Sequence, residues 1–281
     1  MLLIIIAVLS VIASIITFVL GSIACHGVAL IGMFLLITAA YYLAFHVLYA
    51  LTALIATELF INLKKEAKEP SRFWLWHFEQ ITWILCFYGR VKIVVNDREK
   101  LPQNSRYLMV ANHRSMFDPI VKAVAFRDQG LIYVSKPGNF KIPVAGKVMH
   151  KCGCLSLNRD NNRDALRTIK KACRFISEDI ASVVIYPEGT RSREEKMLPF
   201  HAGSFKIAQK TGVPVVCAAV INTDKVHSNF PFKSTTVYID IVDVIDAAFV
   251  KAHTTAETAE IASAAIQQRL DLAADKEACI G

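Results

Sequence analysis

"YLMVANHRSMFDP", residues 107–119, changes character halfway along. Tyr107 to Ala111 is a continuous apolar run of strand length, and Asn112 to Pro119 is a polar stretch that ends on an aspartate followed by proline. A short apolar run bounded by turn residues reads as a buried strand. Proline suits the first turn of a helix, and Ser115 or Asp118 can act as its cap. The segment therefore predicts strand, turn, and then an apolar helix from about Ile120. On a straight helix, His113 and Asp118 would point about 140° apart. Across a turn the carboxylate can reach the imidazole.

Strand-like runs recur on both sides: Val91 to Val95, Leu131 to Ser135, Cys154 to Leu157, Ser182 to Pro187, Val213 to Ile221 and Thr235 to Val242. Helical stretches separate them, notably Arg163 to Ser177 and Ser204 to Lys210, and an alanine-rich amphipathic helix covers about His253 to Ala274. This alternation predicts an α/β fold, a mixed and largely parallel sheet flanked by helices. Sites in such open sheets gather at the carboxyl ends of the strands. The turn after Ala111 puts His113 there.

The remainder of the chain has a different composition. Its 281 residues are 54% hydrophobic with mean hydropathy +0.38, more apolar than a soluble domain usually is. The excess lies at the start: Met1 to Thr57 contains no Asp, Glu, Lys or Arg. Leu2 to Leu20 has the ~20 apolar residues that a bilayer span needs, and Val28 to Thr57 is longer. Only "GSIACHG" separates them, which predicts a hairpin. Lys64 and Lys65 follow, and a basic flank holds that side in the cytoplasm. A cleaved signal peptide fits less well, because no basic region precedes the first run and hydrophobicity resumes at once. Cys25 lacks the context of a lipoprotein cysteine.

Ser71 to Arg90, "SRFWLWHFEQITWILCFYGR", gathers Trp74, Trp76, Trp83 and Tyr88. Such residues accumulate at membrane interfaces, and they also dominate cores, so the helix either lies along the headgroups or packs on the domain. The expected organisation is a membrane-embedded hairpin over residues 1–60, an interfacial aromatic helix within 61–90, and an α/β domain with a C-terminal helix over 91–281. This places the protein in the inner or cytoplasmic membrane with the α/β domain facing the cytoplasm.

Seven scattered cysteines suit a reducing compartment, and "CGC" at 152–154 is too tight for the usual zinc spacing. The net charge of +8 favours anionic lipids and acidic carriers. A nucleic-acid partner is not expected, because the cations are dispersed and the aromatics cluster beside the apolar segment.

A carboxylate bonded to one imidazole nitrogen fixes the tautomer and leaves the other nitrogen free to accept a proton. His113 and Asp118 can in this way activate a substrate hydroxyl with no serine or cysteine nucleophile. "YPEGTRSR", residues 186–193, leaves another strand and supplies Glu188, a glycine that allows close backbone approach, Thr190 and two arginines. Guanidinium groups match phosphate oxygens in bidentate fashion. Lys136 and Arg159 follow two further strands, so Lys136, Arg159 and Arg191 form a candidate basic pocket.

"NHRSMFD", "GCLSLNRD", "YPEGTRS" and "GVPVVCAAVI", in this order, resemble the four motifs of the bacterial-type 1-acylglycerol-3-phosphate acyltransferases, the lysophosphatidate acyltransferase family. The resemblance covers about Val91 to Val242. It implies that His113 is the catalytic base and Asp118 its partner. Glu188, Gly189, Thr190 and Arg191 belong by the same resemblance to the acceptor-binding loop, with Lys136 and Arg159 near the phosphate. The implied reaction transfers a fatty acyl group from acyl-ACP or acyl-CoA to the second hydroxyl of 1-acylglycerol 3-phosphate and forms phosphatidic acid, with no metal or organic cofactor. Two positions depart from the pattern: Asn158 stands where an acidic residue is common, and His201 where lysine is frequent. Asn112 before His113 favours a lysophosphatidate acceptor over glycerol 3-phosphate. The alternatives are a broader lysophospholipid acyltransferase, a membrane-bound hydrolase and a non-enzymatic lipid-binding scaffold.

Overall fold

The computed structural model describes residues 1–20, 28–63, 65, 69–192 and 196–278, and the chain divides into two compact units, Met1–Glu66 and Ala67–Gly281. The linker "GSIACHG" with Cys25, together with Lys64 and Arg193, lies outside the described residues.

The first unit consists of helices α1 (Leu2–Leu20) and α2 (Val28–Phe60), both long and apolar enough to cross a membrane. Several of their polar side chains bond to carbonyls of their own helix or to each other. Ser10 and Ser14 donate back to the carbonyls of Ile6 and Ser10, Thr38 donates to Ser14 Oγ at 3.0 Å, and Thr17 pairs with the Tyr41 hydroxyl at 2.8 Å. Phe18 and Phe34 meet edge to face. Ser14 with Thr38 and Phe18 with Phe34 define an antiparallel pair, since one partner number rises as the other falls. Small and hydroxylated residues are the expected glue where no water competes.

The second unit begins with α3 (Arg72–Tyr88), followed by β1 (Val91–Asn96), β2 (Leu108–Ala111), α4 (Phe117–Ala125) and β3 (Leu131–Ser135). Next come α5 (Ala145–Lys151), β4 (Leu155–Ser156), α6 (Asn162–Ser177), β5 (Ser182–Ile185), α7 (Lys206–Thr211) and β6 (Val215–Ile221). The chain continues through α8 (Lys225–Asn229), β7 (Thr235–Ile245), α9 (Ala247–Ala252) and α10 (Thr255–Ala278). The seven strands form one sheet in the order β1-β7-β6-β2-β5-β3-β4. Every neighbouring pair is parallel except β6 and β7. The sheet is thus mixed and largely parallel, with β1 and β7 running against the other strands.

The central strands are buried on both faces, which is why they read as unbroken apolar runs. Alternate residues supply the two cores. Leu108, Val110, Val183, Ile185 and Cys217 pack with Phe175, Phe205, Val250 and Ile266 from α6, the turn before α7, α9 and α10. Met109, Ala111, Val184 and Val220 pack on the other face with Val121 of α4, Val226 of α8 and Trp74, Leu75 and Phe78 of α3. The aromatic helix therefore packs part of its surface on the α/β unit, and Ser71 N–H bonds the Lys151 carbonyl at 2.9 Å. Phe73, Leu85, Phe87 and Tyr88 of the same helix remain exposed. Cys152 and Cys154 are buried thiols flanking Gly153, whose φ of +81° makes the turn.

Candidate active site

Three adjacent strands converge on His113. β2 sits between β5 and β6, so the loops leaving its carboxyl end and theirs meet. The loop after β2 carries His113, whose Nδ1 lies 2.6 Å from Asp118 Oδ2. Asp118 is fully buried in the first turn of α4. Its carboxylate reaches back: Oδ2 also accepts the backbone N–H groups of Arg114 and Ser115, each at 2.8 Å, and Oδ1 accepts the Thr223 hydroxyl at 2.5 Å. The expected capping role is thereby redirected. Asp118 satisfies donors of the preceding loop, while Ser115 Oγ accepts Phe117 N–H at the helix start.

Burial alone would raise the Asp118 carboxyl, but the bond from His113, the Lys122 charge and the Thr223 hydroxyl together hold it below the ordinary carboxylate value. It therefore stays ionised at neutral pH. The imidazole is 20% exposed, and among the described residues its Nε2 has no hydrogen-bonding partner. One nitrogen is anchored and the other is left without a bonding partner in a partly exposed ring, the arrangement a general base needs.

The loop after β5 braces the histidine backbone. Tyr186, Pro187, Glu188 and Gly189 form a turn closed by Gly189 N–H to the Tyr186 carbonyl at 3.0 Å. Buried Glu188 accepts His113 N–H at 2.6 Å through Oε1 and Leu198 N–H at 2.8 Å through Oε2. Burial raises its carboxyl above the ordinary value despite those two donors. Ser192 N–H donates to the His113 carbonyl at 2.8 Å. Glu188 and Ser192 thus grip the main chain of His113 from both sides, so Glu188 has a structural task whatever it does for a ligand.

The expected basic residues are only partly assembled. Arg159, which follows β4, lays its guanidinium over Gly189: a methyl group at Gly189 would overlap it, and the φ of +72° there already favours glycine. Burial draws that guanidinium below the usual arginine value. Lys136 leaves β3, the strand next to β5, and is exposed; Thr190 and Arg191 are exposed as well. No hydrogen bond or ion pair joins Lys136, Arg159 and Arg191 among the described residues. They share the carboxyl end of the sheet and not a common bond.

Four residues of the site were not apparent from the sequence or have a role it did not suggest. Thr223 comes from the end of β6, over a hundred positions after Asp118. Asn112 is buried, and its amide pairs with Val220 N–H and C=O, stitching β2 to β6. That commitment gives it a structural role that does not depend on the acceptor. Tyr186 stacks on His113 with centroids 4.2 Å apart. Lys122, one turn beyond Asp118, is completely buried with its Nζ 4.3 Å from the Tyr186 ring centroid and no hydrogen-bonding partner among the described residues, and burial pushes its ammonium down to about 8. The signal for Lys122 was a single cation within an apolar helix, which composition alone does not distinguish from a surface lysine.

Residues 92–221, which lie within the α/β unit, match the family model described as Acyltransferase. The curated proteins it is similar to include several 1-acyl-sn-glycerol-3-phosphate acyltransferases. A chloroplastic one of Brassica napus is 34% identical over 152 residues, covering 53% of this chain and 43% of that protein. One from Borreliella burgdorferi is 31% identical over 165 residues, covering 58% and 65%. One from Haemophilus influenzae is 32% identical over 154 residues, covering 52% and 62%. The matched region spans less than two thirds of each of these relatives. The fold is that of the crystal structure of the 1-acyl-sn-glycerophosphate acyltransferase PlsC from Thermotoga maritima, with a TM-score of 0.59 and 22% identity over 80% of this chain and 88% of that one.

Proposed function

We propose that the protein transfers a fatty acyl group from acyl-ACP or acyl-CoA to the sn-2 hydroxyl of 1-acylglycerol 3-phosphate, forming phosphatidic acid in phospholipid synthesis. The observation that carries this reading is the anchored His113–Asp118 pair in a partly exposed imidazole, with no bonding partner for Nε2 of His113 among the described residues. The names of the relatives supply the acceptor class. Nε2 takes the proton of the sn-2 hydroxyl as its oxygen attacks the thioester carbonyl. Asp118 stabilises the imidazolium. The carbon–sulfur bond then breaks, and the departing thiolate receives the proton from His113, which returns the enzyme to its starting state. Glu188 and Ser192 hold the His113 backbone during this cycle, while Arg159, Lys136 and Arg191 neutralise the acceptor's phosphate, aided by Gly189 and Thr190 in the same loop.

In this reading residues 1–60 are a membrane anchor, the exposed side of the helix within 61–90 lies at the headgroups, and the domain over 91–281 works on the cytoplasmic face of the cytoplasmic or inner membrane. Incubating purified protein with labelled acyl donor, with and without lysophosphatidate, tests the reaction. Label should enter phosphatidic acid only when the acceptor is present. Equal release of free fatty acid in both cases would make the protein a hydrolase.

A further inference from the structure

Exposed aromatic residues collect at one place on the α/β unit that catalysis does not use. The connection from β6 to β7 presents Phe230 and Phe232, which are 53% and 85% exposed. Arg90 ties this connection to the end of α3: its Nη1 donates to the Phe232 carbonyl at 3.0 Å and its own carbonyl accepts Thr235 N–H. Just before Arg90, Leu85, Phe87 and Tyr88 are exposed. Scattered surface phenylalanines need no explanation, whereas a group brought together by the contacts of Arg90 is a candidate interaction site.

The charge around it is mainly positive. From Leu85 to Val95 the chain has Arg90 and Lys92 and no acidic residue. From Asn222 to Ser234 it has Lys225 and Lys233 against Asp224, which is already paired with Arg114 at 3.4 Å. The patch also lies toward the catalytic end of the sheet. Val91 pairs with Thr235 and Ile221 with Tyr238, so the starts of β1 and β7 meet the end of β6, where Thr223 bonds Asp118.

We propose that Phe230 and Phe232, with Phe87, Tyr88, Arg90 and Lys233, form a second membrane-docking surface that seats the catalytic end of the domain on an anionic phospholipid bilayer. The aromatics enter the boundary between headgroups and acyl chains and the cations pair with phosphates. A purely basic surface would suit an acidic carrier protein; the protruding phenylalanines favour lipid. This deepens the membrane reading above and is tested separately from the acyl-transfer reaction.

The full-length protein, carrying benzoylphenylalanine at position 232, is reconstituted into vesicles of phosphatidylethanolamine and phosphatidylglycerol and irradiated. The exposed Leu166 of α6 serves as the control position. Lipid adducts at 232 and none at 166 are expected. No lipid adduct at 232, equal labelling at both positions, or a crosslink at 232 to added acyl-ACP in place of lipid would overturn the proposal. A second variant, Phe230→Ser with Phe232→Ser, should raise the apparent KM for vesicle-borne lysophosphatidate roughly fivefold and leave turnover of a dispersed short-chain analogue unchanged. Equal loss on both substrates would also overturn it. If the wild type transfers to neither acceptor, the crosslink still decides the docking question.

Discussion

Asp118→Asn separates the charge of the carboxylate from its role as a hydrogen-bond acceptor. Among the described residues Oδ2 accepts three donors, His113 Nδ1 and the N–H groups of Arg114 and Ser115, whereas Oδ1 accepts only the Thr223 hydroxyl. An asparagine therefore settles with its carbonyl on the three-donor side and its amide toward Thr223, whose hydroxyl can turn to accept. The tautomer of His113 and the loop are kept. What disappears is the negative charge 2.6 Å from the nitrogen that becomes part of an imidazolium. At an effective dielectric of about 20 that attraction is about 6 kcal/mol, reduced to roughly 3–6 by delocalisation over the ring and by the nearby Lys122. This corresponds to a fall of about 10²–10⁴-fold in kcat at 1.36 kcal/mol per decade.

Stability should change far less at neutral pH, by about 1–2 kcal/mol, because weaker neutral hydrogen bonds are offset by relief from burying a charge. The wild-type carboxyl lies below its ordinary value of 3.8 in the fold. Its contribution is therefore present above that value and lost as the pH falls through the lower folded one, so the two proteins should converge in acid. Asp118→Ala, by contrast, strands loop donors and should cost stability by about 1–3 kcal/mol. Turnover with labelled donor and thermal unfolding of the same preparations check both points. An Asp118→Asn enzyme within tenfold of wild type would refute the electrostatic role, and one that unfolds as readily as Asp118→Ala would refute the carbonyl placement.

Two other substitutions test parts of the site that the structure adds. Gly189→Ala places a methyl group into the Arg159 guanidinium at a φ of +72°. It should cost about 1–2 kcal/mol in backbone strain and raise the KM for lysophosphatidate more than that for the acyl donor; an unchanged acceptor KM would detach Arg159 from the phosphate. Lys122 titrates near 8 in the fold against an ordinary value of 10.5, so between those values the unfolded chain binds more protons and stability rises with pH. Unfolding free energies from denaturant titration should show wild type gaining on Lys122→Met across that window, by up to about 3 kcal/mol at 1.36 per unit, and a constant difference would show that Lys122 does not titrate there.

The local features were the legible ones. The apolar runs at β2, β5 and β6 announced buried strands, and His113 and Asp118 lie in one turn, so their contact follows from a single short segment. Short helices such as α5 and α8 have too few turns to show a period. Strand order and the reversed direction of β7 depend on pairing between distant segments, which no single run encodes. The same reason hid Thr223, which reaches Asp118 only because β6 lies beside β2, and the grip of Glu188 on the His113 backbone, which needs β5 on its other side. Lys136, Arg159 and Arg191 all follow strands, as read from the sequence, yet which of them would meet is fixed by loop geometry: Arg159 finds Gly189 because glycine leaves room for it.

Proton transfer by His113 Nε2 is the central step, and His113→Ala tests it most directly. Purified wild type and variant, matched for folding by their melting temperatures, are assayed with lysophosphatidate and labelled acyl-ACP or acyl-CoA, and phosphatidic acid is measured. Loss of a general base lowers the rate by about 10²–10⁴-fold, so the variant should retain its fold and bind both substrates while forming almost no product. Phosphatidic acid formed at a near-wild-type rate by the folded variant would contradict the mechanism.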